Sequence, residues 1–191
     1  MERKQVHLDG KQIRVLAHPL RARLLARLRL DGPATATKLA EALGTNTGAT
    51  SYHLRQLADV GLVEEDESTG RGRERWWRSA HDMSSWRRDE FADDADALAA
   101  SDWLDSNALR NFVDLVETWR QARAQESPEW RSAAGFSDHF LNLDWAQLTA
   151  LTVEVDELIE RYRAHSEAHP HPDARQVILF TYGVPRVEDP S

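Results

Sequence analysis

Residues able to do specific chemistry are concentrated between Asn46 and Arg75 of this 191-residue chain. Thr47-Gly48-Ala49-Thr50-Ser51-Tyr52-His53-Leu54-Arg55-Gln56-Leu57-Ala58-Asp59-Val60 reads as a helix with two unlike sides. At about 100° per residue, Thr50, Leu54, Leu57 and Ala58 gather on one side. Gly48, Tyr52, Arg55, Gln56 and Asp59 lie broadly opposite, with Ser51 and His53 on the flanks. Arginine and glutamine can make paired hydrogen bonds to guanine and adenine edges, and serine, threonine and tyrosine hydroxyls suit phosphates. Gly48 allows close backbone approach, and the amides at the helix start, beside Asn46 and Thr47, favour a phosphate oxygen. Further on, Arg71, Arg73 and Arg75 stand two apart around Gly72, a spacing suited to reaching along a backbone or into a minor groove.

Other chemistries have weaker support. His165, His169 and His171, with Glu167 and Asp173, carry donors that zinc or nickel accepts. A His/Pro tract after a helix is more often a solvated loop, so no metal is expected. Five of the seven tryptophans (Trp86, Trp103, Trp119, Trp130 and Trp145) fall in the second half. With nearby carboxylates they could wall a site for a cationic or planar small organic effector. Filling a helical core and a dimer seam is the better reading. No Ser/His/Asp order, glycine-rich phosphate loop or carboxylate pair stands out, so neither an enzyme nor a cofactor is expected.

The elements that would position the central helix follow from periodicity and punctuation. A short helix is expected from about Asp9 to Leu16, after a polar and frayed start. A second begins at Pro19, with Leu20, Leu24, Leu25 and Leu28 on one face, and Asp31-Gly32-Pro33 stops it. Thr35-Ala36 reads as a short strand, and Thr37 as an N-cap for Lys38–Leu43, which Gly44 ends. Val60-Gly61 closes the central helix. Strands follow over 62–67 and 73–79, joined by the turn 68–72. Beyond His81, residues 89–100 are helical by propensity, and Ser101 is placed to cap a longer helix to about Gln125. Ser127-Pro128 breaks it. Residues 132–143 are ambiguous, with a strand conceivable at 140–143. Asp144 with Gln147 forms a capping-box pattern ahead of a helix bearing Leu148, Leu151, Val155, Leu158, Ile159 and Tyr162 on one side. Residues 176–182 read as a buried strand.

Composition divides the chain. The net charge is −8 overall. Residues 1–81 hold 14 Lys and Arg against 10 Asp and Glu, a surplus of +4, whereas residues 82–191 hold 10 against 22, or −12. The basic half fits a polyanion and the acidic half does not, which implies two modules. There is no cysteine, no apolar run of membrane-spanning length and no secretory h-region, so a cytoplasmic location is expected.

Leu16-Ala17-His18-Pro19-Leu20-Arg21-Ala22-Arg23-Leu24-Leu25 resembles the opening of ArsR-type winged helix-turn-helix regulators. The similarity continues through residues 36–44, Thr50-Ser51-Tyr52-His53-Leu54-Arg55-Gln56-Leu57, Gly61-Leu62-Val63-Glu64 and Gly70-Arg71-Gly72-Arg73-Glu74-Arg75, covering about residues 9–80. The resemblance implies a homodimeric transcriptional regulator whose paired recognition helices read a partly palindromic operator. It also implies that Ser51 and His53 contact DNA, although periodicity alone leaves them on the flanks. The cysteine pair of that family's metal sensors is absent from residues 37–43, which argues against metal sensing.

The combined expectation is a mainly α (α+β) protein: a winged helix-turn-helix over residues 1–81, then a mostly helical acidic dimerisation or effector region over 82–191 with a short terminal β element. Its function would be DNA-binding transcription regulation as a homodimeric repressor. The helix 47–60 would sit in the major groove and the wing 68–75 on the backbone or minor groove. The alternative is a winged-helix protein-interaction adaptor without sequence-specific DNA binding. Expected DNA-binding residues are Asn46, Thr47, Gly48, Ser51, Tyr52, His53, Arg55, Gln56, Arg71, Arg73 and Arg75.

Overall fold

The computed structural model describes residues 4–67 and 74–187. The chain divides into two compact units, residues 1–115 and 116–191.

In the first unit, strand β1 (Gln5–His7) leads into α1 (Gly10–Leu16) and α2 (Pro19–Leu30). Strand β2 (Ala34–Thr35), α3 (Ala36–Leu43), α4 (Thr47–Ala58), β3 (Val63–Glu65), β4 (Trp76–Ser79) and β5 (Met83–Ser85) follow. After a 3-10 turn at Arg88–Phe91, α5 (Ala95–Ala122) begins. The small antiparallel sheet has the order β2-β4-β3, with Glu64 opposite Arg78 and Ala34 opposite Trp77. The apolar stripes read from the sequence converge on one core. Ile13, Leu24, Leu54, Leu57 and Leu62 are sealed from solvent beside Leu28, Leu39, Leu43, Val63 and Trp77.

Four differences from the sequence reading have identifiable causes. Residues 5–8 of the polar stretch expected to be frayed are ordered, while residues 1–3 lie outside the described residues: Gln5–His7 pairs in parallel with Met83–Ser85, and Leu8 enters the core. A polar strand with one apolar anchor leaves little periodic signal. Helix α3 starts one residue after Thr35, whose hydroxyl accepts from the Lys38 amide, so Thr37 is inside the helix and is not the cap. Ser101 caps nothing either. It is fully buried within α5, where its hydroxyl donates to the Leu98 carbonyl, and the acidic, alanine-rich stretch is continuous with the longer helix. The first turns of α5 also belong to the N-terminal core, since Ala97, Ala100 and Leu104 pack there with Phe91.

The second unit contains the end of α5, a short helix α6 (Pro128–Ala133) capped by Ser127, and α7 (Trp145–Ala168). The capping box of Asp144 and Gln147 is formed. Residues 140–143 and 176–182 form no strand. Val177, Ile178, Leu179 and Tyr182 are exposed, so the expected buried terminal β element is corrected to irregular chain. A strand requires a neighbour for its amides and carbonyls, and apolar content alone does not supply one. No helix among the described residues is long and apolar enough to cross a membrane.

Candidate nucleic-acid interface

Helix α4 is held by its ends and by one face. Its N-cap is Asn46, whose side-chain oxygen accepts from the Ala49 amide at 2.8 Å, while the Thr50 hydroxyl donates to the Asn46 carbonyl at 3.1 Å. Gly44, with φ of +63°, makes the turn from α3, a conformation that costs a residue with a Cβ about 1 kcal/mol or more. At the other end the Gln12 side-chain amide donates to the Val60 carbonyl at 3.0 Å, tying α1 to the exit of α4. Thr50, Leu54 and Leu57 are buried completely, each at 0% exposure. This is the face the 3.6-residue period assigned to the core.

The opposite side is bare and polar. Thr47, Gly48, Tyr52, Arg55 and Asp59 are exposed, Tyr52 to 54%, and Ser51 and Gln56 are half-buried. Asn46 is exposed too, although its side chain is occupied by capping. The Gln56 amide lies 3.5 Å from an Asp59 carboxylate oxygen, a long contact that leaves it free to reorient. An open groove of about 620 Å³ runs between this side of α4 and strands β3 and β4, lined by Tyr52, Arg55, Asp59, Glu65 and Arg75 among others.

The wing base is fixed from behind. The Arg29 guanidinium donates to the Ser79 hydroxyl, the His81 carbonyl and the Ser84 hydroxyl at 3.4, 3.1 and 2.7 Å. Arg75 pairs with Glu65 at 3.2 Å and lies over the Trp77 ring, both charged groups being more than half exposed. An exposed pair of this kind contributes no more than about 1 kcal/mol, so Arg75 can exchange Glu65 for a phosphate at small cost. Arg71 and Arg73 lie outside the described residues.

Sequence reasoning overlooked Lys38. It is exposed at the start of α3, with its ammonium 4.5 Å from the centre of the half-buried Trp76 ring. Trp76 and Trp77 do alternate as a strand requires, Trp77 facing the core.

His53 behaves unlike its neighbours. Its ring is 4.4 Å from that of His18 and meets Tyr52 edge-on at 5.1 Å. Its Nδ1 is sealed from solvent without a hydrogen-bond partner. Burial, reinforced by the nearby charges of His18 and Arg21, holds the His53 imidazole below its ordinary pKa. His18 is lowered in the same way, first by burial and then by Arg21. The C-terminal histidines do not converge: among the described residues no group of three or more His, Cys, Asp or Glu is arranged to hold a metal ion. His165 in the last turn of α7 stacks on His169, the residue that caps that helix, and His171 Nδ1 accepts from the Asp173 amide.

A helix, a tight turn, a second helix with a bare polar side, and a two-stranded hairpin returning beside it together define a winged helix-turn-helix. Residues 16–66 match the helix-turn-helix domain family. The HTH-type transcriptional regulator NmtR of Mycobacterium tuberculosis is 43% identical over 56 residues, which is 29% of this chain and 46% of that protein. The match thus spans about half the length of that curated relative. Among solved structures, a homodimeric winged helix-turn-helix DNA-binding domain from Mycobacterium bovis, of a possible ArsR-family transcriptional regulator, is 28% identical. It covers 37% of this chain and 61% of its own, with a TM-score of 0.33. A possible transcriptional regulator for arsenical resistance is 27% identical, covering 61% of this chain and 97% of its own at a TM-score of 0.32. Through residues 16–66 the chain is similar to helix-turn-helix domains of transcriptional regulators such as NmtR.

Proposed function

We propose that this protein is a DNA-binding transcriptional regulator that acts in the cytoplasm as a homodimeric repressor. The observation that carries the reading is α4. It is anchored by Leu54 and Leu57 at 0% exposure while Thr47, Gly48, Tyr52 and Arg55 stand free on the outside. A helix held rigidly by one face, with donors on the other, can enter a major groove without rearranging. Arg55 and Gln56 read base edges. Thr47, Ser51 and Tyr52 place hydroxyls for phosphates, and Asn46 and Gly48 open the helix start to the backbone. Arg71, Arg73 and Arg75 reach the flanking backbone or minor groove. Residues 82–191 form the dimerisation or effector region and keep two copies in register on a partly palindromic operator. NmtR is a transcriptional regulator by name, and the Mycobacterium bovis domain is homodimeric. Both support the reading.

The test is genome-wide mapping of occupied sites followed by titration of the recovered duplex. Affinity above that for random DNA is expected, falling steeply with salt as condensed counterions are released. A folded protein with equal affinity for both duplexes would overturn the reading. Retention of a specific protein partner by a variant with alanine at Ser51, Tyr52 and Arg55 would then favour an adaptor.

A further inference from the structure

We propose that His18 and His53 form a positioning pair that seats the recognition helix only while both rings are neutral, so that acidification releases DNA. The inference rests on the DNA-binding reading of α4. It departs from the direct DNA contact that the resemblance implied for His53.

The geometry assigns each ring a duty that a proton destroys. His18 is the N-cap of α2, and its Nδ1 accepts from the Leu20 amide at 3.1 Å. That bond needs a lone pair on Nδ1, which a protonated imidazole lacks. His53 projects from the middle of α4 onto His18, with ring centres 4.4 Å apart and planes tilted by 35°. Its Nδ1 is enclosed and has no acceptor to receive an added hydrogen. Two neutral rings can pack at this distance, whereas two imidazolium ions there repel each other.

The surroundings bias the pair in the same direction. From α2, Arg21 adds positive charge beside both rings. Its guanidinium is itself held by the Val15 carbonyl at the end of α1. From α4, Tyr52 lies against His53 and is close enough to act on Arg21. Neither histidine has a carboxylate partner among the described residues, in contrast to His7, which is paired with Glu90 at 2.5 Å. Protonation of the pair therefore brings charge to the α2–α4 contact with nothing to offset it. It loosens the start of α2 together with the middle of α4, the part that presents Tyr52 and Arg55.

The expected sign is diagnostic. Ordinary electrostatics predicts that acid tightens DNA binding, because eight histidines gain positive charge. The positioning pair predicts the reverse, an affinity loss of about tenfold or more between about pH 7.5 and about pH 5.5 at constant salt. The probe is a duplex covering the upstream region of the protein's own gene, followed by fluorescence anisotropy. His18→Asn keeps a capping acceptor but cannot take a proton, and His53→Phe keeps a ring. The readout is each variant's own ratio of affinities at the two pH values, which should shrink in each single variant and vanish in the double variant.

Binding that is unchanged or tighter in acid overturns the proposal, as does an acid release that persists in the double variant. If His53→Phe fails to fold, His18→Asn alone must still weaken the pH dependence. A DNA-free measurement separates this proposal from the functional reading beneath it. Nuclear magnetic resonance should show the two imidazoles titrating below the free-histidine value, in step with faster amide exchange across residues 49–55. If that coupling is seen with no DNA affinity at any pH, the functional reading fails and the pair stands as a structural contact. If the rings titrate without any change in exchange, the pair is overturned.

Discussion

At the scale of single residues, the donors on α4 and the groups beneath them serve different ends. Exposed Arg55 and half-buried Gln56 are the residues whose replacement should change which sequence is preferred. Arg55→Ala is expected to cost about 1–3 kcal/mol on the best duplex and to relax preference at one base position, measured by competition with single-base variants. Arg75→Ala should weaken all duplexes alike and lower the salt slope by about one, the mark of a lost phosphate contact. Leu54 lies at 0% exposure under the same helix, so Leu54→Ala should cost about 2–5 kcal/mol of folding stability, read from a denaturant midpoint.

Titration can be followed at this scale as well. His18, His53 and His81 are all held below the ordinary imidazole value, chiefly by burial. The unfolded chain therefore takes up their protons first. Their contribution to stability is complete above about pH 6.5 and declines as pH falls through that value. Melting temperature should drop between about pH 7.5 and about pH 5.5, and the drop should shrink in the His18→Asn, His53→Phe double variant. Asp94, Asp102 and Glu126 are lowered by hydrogen bonds and a neighbouring arginine, and Glu129 by hydrogen bonds alone, so what they add is present above the ordinary carboxylate range and lost only in stronger acid.

At the scale of elements, helix α4 depends on its termini as much as on its face. Asn46→Ala removes the acceptor for the Ala49 amide and should destabilise the domain by about 1 kcal/mol, seen as a lowered melting temperature. A serine there should restore most of the loss, since its hydroxyl can cap in the same way. The order of helices and the hairpin was legible in the sequence because each element has its own punctuation. Gly44 and Gly61 both adopt positive φ where the sequence placed stops. Pro19 opens α2 as read. Strands β1 and β5 were not legible. Their stability comes from pairing between residues about 80 positions apart, as in the Gln5–Ser85 side-chain bond, and no local pattern encodes such a partner.

At the scale of the whole molecule, the second unit presents an uncovered apolar helix face. Helix α7 has no buried residue, and Leu151, Leu158 and Tyr162 on its apolar side are exposed. Under the proposed homodimer, replacing Leu151 and Leu158 with serine should move sedimentation towards the monomer. The circular dichroism of the N-terminal unit should be unaffected. A dimer that survives those changes would place the subunit contact elsewhere. Sequence alone determined the winged helix-turn-helix and its inward and outward faces, because helical periodicity and capping act over a few residues. Tertiary structure decided what those faces meet. It turned His53 inward onto His18, drew the start of α5 into the N-terminal core, and left residues 176–182 without a sheet to join. Each outcome depends on which distant surface is available to cover a side chain or to pair a backbone, and that is a property of the assembled chain rather than of any stretch of it.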